Sequence, residues 1–209
     1  MKQAIVVFGG SGFVGQGICQ EAIKRRLPVI SISRHGKPRK EQPWMSHPLI
    51  TWVQADIFNE DTWSGYLDNS LGCINLIGIL FENKRRGLTY QRLIVDANHV
   101  IANACERAQI PYLFISAKTG PCGYLAAKKQ AEHDLFQLTN PIIIIRPGLV
   151  VTKQKPLKWL QGVGIKCASH LPLVNHLADD AYPVPLQRLA ADSINYLQRG
   201  TSTIVADIK

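Results

Sequence analysis

The stretch AIVVFGGSGFVG, residues 4–15, sets four glycines between an apolar run and an amphipathic one. Ala4, Ile5, Val6, Val7 and Phe8 form a short continuous apolar run rich in β-branched residues, the pattern of a strand buried on both faces. After the glycines, Phe13, Val14, Ile18, Ala22 and Ile23 recur at helical spacing. Lys24, Arg25 and Arg26 fill the expected last turn, where cations complement the helix dipole. A lone G-x-G-x-x-G also arises by chance, so these flanks decide the reading: the glycines sit at a strand-to-helix turn. Residues 28–33 supply a second apolar strand and complete a βαβ unit of about 30 residues. In such a unit the first glycine permits the tight turn, Gly12 lets backbone N–H groups approach a pyrophosphate, and Gly15 lets helix and strand pack closely. The expected dinucleotide contacts are Gly9, Gly10, Ser11, Gly12, Phe13, Val14 and Gly15.

The alternation continues downstream. Apolar runs at residues 50–53, 73–80, 112–115 and 142–145 are separated by helix-like segments at 88–108 and 124–138. Strands alternating with helices predict an α/β fold with a doubly wound parallel sheet of Rossmann type. Residues 1–150 read as the dinucleotide-binding core. Residues 151–209 read as a small C-terminal cap or lid followed by a last helix at 186–199, packed on the core as one domain.

Composition narrows the classes. Charged and apolar fractions are ordinary for a globular chain of 209 residues, and no apolar run has the length of a membrane span. The five cysteines lack a C-x-x-C pair and the six histidines lack ligand spacing, so neither a metal site nor a disulfide framework is expected. The formal charge of +9 gathers at residues 24–26, 34–40, 84–86 and 153–166 without a nucleic-acid motif. That distribution implies a solvated basic face with a phosphate-handling subset, and no nucleic-acid partner. A first strand beginning almost at Met1 makes the cytoplasm the default compartment. The mitochondrial matrix or inner-membrane surface is the alternative for a processed precursor.

The end of the second strand should face the adenosine ribose, where an acidic residue would favour NAD. Here the residues are Ser31-Ile32-Ser33-Arg34-His35-Gly36-Lys37. A guanidinium matches a phosphate with a fork of donors, so Ser33, Arg34 and Lys37 predict NADP(H) over NAD(H). Asp56 and Ile57, ending the third strand, are placed to hold the adenine, although an Asp there also serves as a cap.

The ordered set Gly9-x-x-Gly12-x-x-Gly15, Ala55-Asp56-Ile57, Asn75-Leu76-Ile77-Gly78, Tyr124-Leu125-Ala126-Ala127-Lys128 and Arg146-Pro147-Gly148 resembles the extended and atypical short-chain dehydrogenases/reductases. Within them the chain is similar to members related to the NADPH-carrying accessory subunit of respiratory complex I and to a coenzyme Q biosynthesis protein. The resemblance covers roughly three quarters of the chain. It implies further cofactor contacts at Ile77, Gly78, Lys128 and Pro147, and a catalytic group of Tyr124, Lys128 and Ser116. Tyr124 and Lys128, four apart on a helix, share one face. The ammonium stabilises the phenolate and binds the nicotinamide ribose, while the tyrosine gives or takes the proton that accompanies hydride transfer. The resemblance also points to Asn98 as a supporting residue, against an equally weighted reading as a solvent-facing helix position.

Three functions remain open at this point. The leading one is an oxidoreductase or epimerase-like enzyme acting on a small carbonyl or alcohol. The others are an NADPH-binding module without turnover in a larger respiratory or quinone-related assembly, and a flavin or quinone reductase needing the nicotinamide alone. Residues 153–174 mix lysines with Leu157, Trp159, Leu160, Val163 and Ile165; they read as a substrate lid or as an element docking on an acidic membrane or a partner.

Overall fold

In the computed structural model, which describes residues 3–152 and 183–205, the opening apolar run becomes β1 (Ile5–Phe8), buried along its whole length. It lies inside a parallel sheet containing β2 (Val29–Ser33), β3 (Ile50–Gln54), β4 (Gly72–Asn75), β5 (Tyr112–Ile115) and β6 (Ile142–Ile145). Two short strands, β7 (Leu149–Val151) and β8 (Pro183–Pro185), pair with each other in parallel, and β9 (Thr203–Val205) adds to the outer edge of β6. The seven-stranded order is β3-β2-β1-β4-β5-β6-β9. The winding reverses between β1 and β4, which leaves a crevice at the carboxyl ends of these strands.

Side chains alternate across the sheet and build two cores. Val6, Phe8, Cys73, Tyr112, Phe114 and Ile144 face α2 (Ala97–Arg107) and α3 (Cys122–Leu135), meeting Ile101, Cys105, Ala131 and Leu135. Ile5, Val7, Ile74, Leu113, Ile143 and Ile145 face α1 (Phe13–Lys24) and α4 (Leu186–Arg199), meeting Ile18, Cys19, Ala22, Leu189 and Ile194. Arg25, at the end of α1, ties the two outer helices together: it donates to Asn195 Oδ1 at 2.6 Å and to the Ala191 carbonyl at 3.3 Å. On the other face Trp63 stands edge-on to Phe8, with ring centroids 4.8 Å apart, and its indole N–H donates to the Ile57 carbonyl.

The doubly wound parallel fold expected from the sequence is present. The apolar run at 73–80 departs from expectation because β4 ends at Asn75. The Asn75 side chain accepts from the Ile77 N–H at 2.9 Å and donates to the Tyr112 hydroxyl at 2.8 Å, which turns the backbone out of the sheet. Leu76 to Ile79 are thereby delivered to the crevice instead. The helix expected over 88–108 starts as a wide turn (Gln91–Asp96) before α2, and α3 starts two residues before Tyr124 and stops at Leu135. The lid or docking reading of residues 153–174 lies outside the described residues.

Candidate functional site

Gly9 leaves β1 with φ +82°, a left-handed conformation open to glycine, while its N–H donates to the Ile32 carbonyl at 2.8 Å. The chain then folds back so that the Gly12 N–H meets the Gly9 carbonyl at 3.0 Å, and Gln16 Nε2 holds the Ser11 carbonyl at 2.8 Å. No side chain caps α1 and its first turn carries no acid, so its leading N–H groups are available to an anion. The glycines divide by task. A Cβ on Gly10 would lie 2.3 Å from Ser31 Oγ, and one on Gly15 would lie 2.4 Å from the Gly9 carbonyl oxygen, so both pack behind the loop. A Cβ on Gly12 would meet only the Gly9 carbonyl oxygen, at 3.2 Å; Gly12 faces open space.

That space is a groove of about 620 Å³. Gly9, Ser11, Gly12, Ser33, Arg34, Asp56, Ile57, Ile77 and Gly78 line it, all of them expected from the sequence. Ser33 uses its hydroxyl to close its own loop onto the Gly36 carbonyl at 2.9 Å. Asp56 Oδ1 accepts from the Phe58 N–H at 3.1 Å. Lys37 is not among the lining residues, because it pairs with Glu41 at 2.7 Å. Phe13 is exposed, Val14 faces the neighbouring cavity, and Pro147 is buried with its carbonyl accepting from the Lys118 N–H. The sequence reading missed His35, Phe58, Arg86 and Arg92 on the walls. Of these His35 and Arg86 lie in the basic runs 34–40 and 84–86, while Phe58 and Arg92 carried no sequence signal. The volume, the uncapped helix start and the glycine backbone suit a dinucleotide with its pyrophosphate over Gly12.

A smaller cavity of about 170 Å³ shares Leu76, Gly78 and Ile79 with the groove. Ser116, Tyr124 and Lys128 all line it, so the three candidate catalytic residues converge. Ser116 follows β5, anchored by its N–H to the Ile145 carbonyl; its buried hydroxyl has no partner. Lys128 Nζ, 2.7 Å from the Ile115 carbonyl, lies 4.3 Å above the Phe114 ring and 5.8 Å from the Tyr124 ring centroid. Burial lowers the Lys128 pKa to about 7, against the opposing pull of Glu132 one turn along. Glu132 is in turn held by Arg146, whose Nε lies 3.0 Å from both carboxylate oxygens. Burial, with Tyr90 beside it, pushes the Tyr124 hydroxyl up to about 12. The arrangement keeps a proton on Tyr124 at neutral pH, and a charged Lys128 would ease its departure.

Lys128 also predicts a pH dependence of stability. Its folded pKa lies below the ordinary 10.5, so the unfolded chain binds more protons above pH 7 and stability rises with pH from about 7 upward. Raised thiol values at Cys19 and Cys73 act in the opposite direction once free thiols ionise, near 9.0. The slope should therefore be read between about pH 7 and 8.5 by chemical denaturation. It should flatten in Lys128→Met; an unchanged slope would show that Lys128 is not held neutral.

Asn98 reaches neither cavity and does not face solvent. It is fully buried, accepting from the Tyr112 hydroxyl at 2.6 Å and donating to the Ala131 carbonyl at 3.1 Å, which knits α2 to β5 and α3. Among the described residues Cys19, Cys73, Cys105 and Cys122 are free thiols and no metal-ligand cluster is present. No described helix is long and apolar enough to cross a membrane.

Comparison with known proteins places this geometry among relatives. A chloroplastic protein of Arabidopsis thaliana, named uncharacterized protein At1g32220, is 30% identical over 163 residues, covering 74% of this chain and 53% of that protein. The chain thus spans about half the length of that relative. MIOREX complex component 2 of Saccharomyces cerevisiae is 27% identical over 210 residues, covering 74% of this chain and 75% of the yeast protein. Among solved structures, a UDP-glucose 4-epimerase superposes with a TM-score of 0.71 at 12% identity, covering 97% of this chain and 75% of the other. The enzyme WbmG of Bordetella bronchiseptica, solved with NAD and UDP, gives 0.71 at 10% identity over 98% and 72%. At such identities the structures share the fold. The model of the NAD dependent epimerase/dehydratase family matches residues 5–140, the segment that carries every lining residue of both cavities, and the chain belongs to that family.

Proposed function

We propose that the chain is an NADP(H)-dependent oxidoreductase or epimerase-like enzyme acting on a small carbonyl or alcohol. The observation carrying this reading is the convergence of Ser116, Tyr124 and Lys128 on a cavity that shares Leu76, Gly78 and Ile79 with the dinucleotide groove. When bound, the cofactor supplies or accepts the hydride. Ser116, buried and without a partner, hydrogen-bonds the substrate oxygen. Tyr124 donates its proton to that oxygen during reduction and removes it during oxidation. Lys128 holds the ribose hydroxyls and, when charged, draws the Tyr124 pKa down from about 12. The glycine loop and the start of α1 hold the pyrophosphate, and Arg34 meets a phosphate on the adenosine ribose.

Cofactor choice gives the direct test. NADPH should bind about tenfold to a hundredfold more tightly than NADH, since a charge-assisted bond contributes about 1.5–3 kcal/mol. Arg34→Asp should erase that preference in a fluorescence titration. Equal affinities of the wild type for the two would contradict the assignment.

A second reading is supported by the yeast relative, whose name places it in a complex. In it the chain binds NADPH as a module of a larger assembly and turns nothing over. Its mark is indifference of the assembly to Tyr124→Phe together with sensitivity to loss of the cofactor.

A further inference from the structure

Three arginines line the dinucleotide groove: Arg34 after β2, Arg86 in the turn Lys84–Arg86, and Arg92 in the wide turn before α2. None of the three has a carboxylate within 4.0 Å among the described residues, whereas Arg25, Arg107, Arg146 and Arg188 each hold one. The acid in the same groove, Asp56, spends one oxygen on the Phe58 N–H of its own turn.

Arg92 is placed by more than charge. Its guanidinium lies 4.3 Å above the ring of Phe58, which lines the groove next to Asp56 and Ile57 at the adenosine end. A guanidinium stacked on a ring keeps its N–H donors in its own plane and pointing past the ring edge, and the stacking fixes an otherwise mobile side chain. Arg34 lines the same groove, its Nε donating to His35 Nε2 at 3.3 Å, which leaves the terminal nitrogens of its fork for other acceptors. A pyrophosphate needs the glycine loop, and an unmodified ribose needs only an acceptor for its hydroxyls. Two guanidinium forks in one groove, neither held by a carboxylate among the described residues, match a phosphate dianion on the ribose.

We infer that Arg92 is a specificity-determining residue, the second arm of a clamp whose first arm is Arg34, and that the two grip a 2′-phosphate between them. This rests on the cofactor reading above and adds a residue from an element that the βαβ unit does not contain.

The test is calorimetric titration of the full chain with 2′,5′-ADP and with 5′-AMP, which differ by the one phosphate. Wild type should bind 2′,5′-ADP more tightly. Arg92→Leu, which keeps an apolar cover on Phe58, should weaken 2′,5′-ADP about tenfold and leave 5′-AMP within about twofold. Arg92→Lys should recover part of the loss. With Arg34→Leu, the double variant should lose less than the sum of the singles for 2′,5′-ADP alone, because both arms share one phosphate. Equal weakening of both probes would make Arg92 an adenine platform and overturn the clamp, as would no weakening at all. If wild type binds NADPH yet Arg92→Leu is silent, the clamp fails and the cofactor reading stands; if wild type binds neither NADPH nor the probes, the cofactor reading itself fails.

Discussion

Tyr124→Phe should lower carbonyl reduction about a hundredfold or more and leave NADPH affinity within about twofold of wild type. The substitution removes one hydroxyl and keeps the ring that packs edge-on against Tyr90, 6.2 Å between centroids. In the proposed function the cofactor is bound by the glycine loop, Arg34 and Lys128, none of which the change replaces. The proposed turnover needs a proton to reach the substrate oxygen as hydride arrives, and with a pKa of about 12 the Tyr124 hydroxyl holds a proton at neutral pH. Ser116 cannot replace it, since an unpartnered serine hydroxyl polarises an oxygen without giving up its proton readily. Steady-state rates and cofactor titrations on the same preparation separate the two quantities. Undiminished turnover would point instead to direct hydride transfer to a flavin or quinone, for which Tyr124 is dispensable.

Gly15→Ala and Gly12→Ala should fail in different ways. At Gly15 the new methyl would lie 2.4 Å from the Gly9 carbonyl oxygen and 2.5 Å from Gly10 Cα, both backbone atoms of the loop itself. Neither can yield without displacing α1 from β1, so a loss of about 3 kcal/mol or more is expected, seen as a lower melting temperature and poor recovery. At Gly12 the methyl meets only one carbonyl oxygen at 3.2 Å, and stability should stay within about 1 kcal/mol. It projects, however, into the groove where a pyrophosphate would meet the N–H groups of α1, and NADPH affinity should fall at least about tenfold. Normal binding by a folded Gly12→Ala protein would mean that the pyrophosphate lies elsewhere.

The central strands were readable because β1, β4, β5 and β6 are buried on both faces: β1, β5 and β6 appear as unbroken apolar runs, and β4 contributes Cys73 and Ile74 to one. The three-residue strands β7, β8 and β9 are too short to show a period, and their identity comes from pairing with distant neighbours. The end of β4 was hidden for a different reason: hydropathy runs on through Leu80, while the hydrogen bonds of Asn75 end the strand. Local pattern also pointed to the glycine loop, Arg34 and Asp56 on the groove wall, and the family resemblance pointed to the Tyr124–Lys128 pair. Local pattern could not reveal Arg92 over Phe58, because that contact joins two elements far apart in the chain. Lys37 illustrates the converse, a residue of suitable type and position drawn away by Glu41. Asn98 does as well, since nothing in the helical pattern distinguishes a polar residue facing solvent from one satisfied by Tyr112 and Ala131.

The adjacency of the groove to the Ser116, Tyr124 and Lys128 cavity, through their shared wall of Leu76, Gly78 and Ile79, is the feature on which the proposed chemistry depends. A crystal structure of the full chain with NADP(H) measures it directly. The pyrophosphate should lie over Gly12, and the nicotinamide C4 should enter the smaller cavity, leaving room for a substrate carbon within about 3.5 Å of C4 and a substrate oxygen within hydrogen-bond reach of Tyr124. A nicotinamide turned away from Ser116 and Tyr124, or a dinucleotide bound outside the groove, would contradict the account.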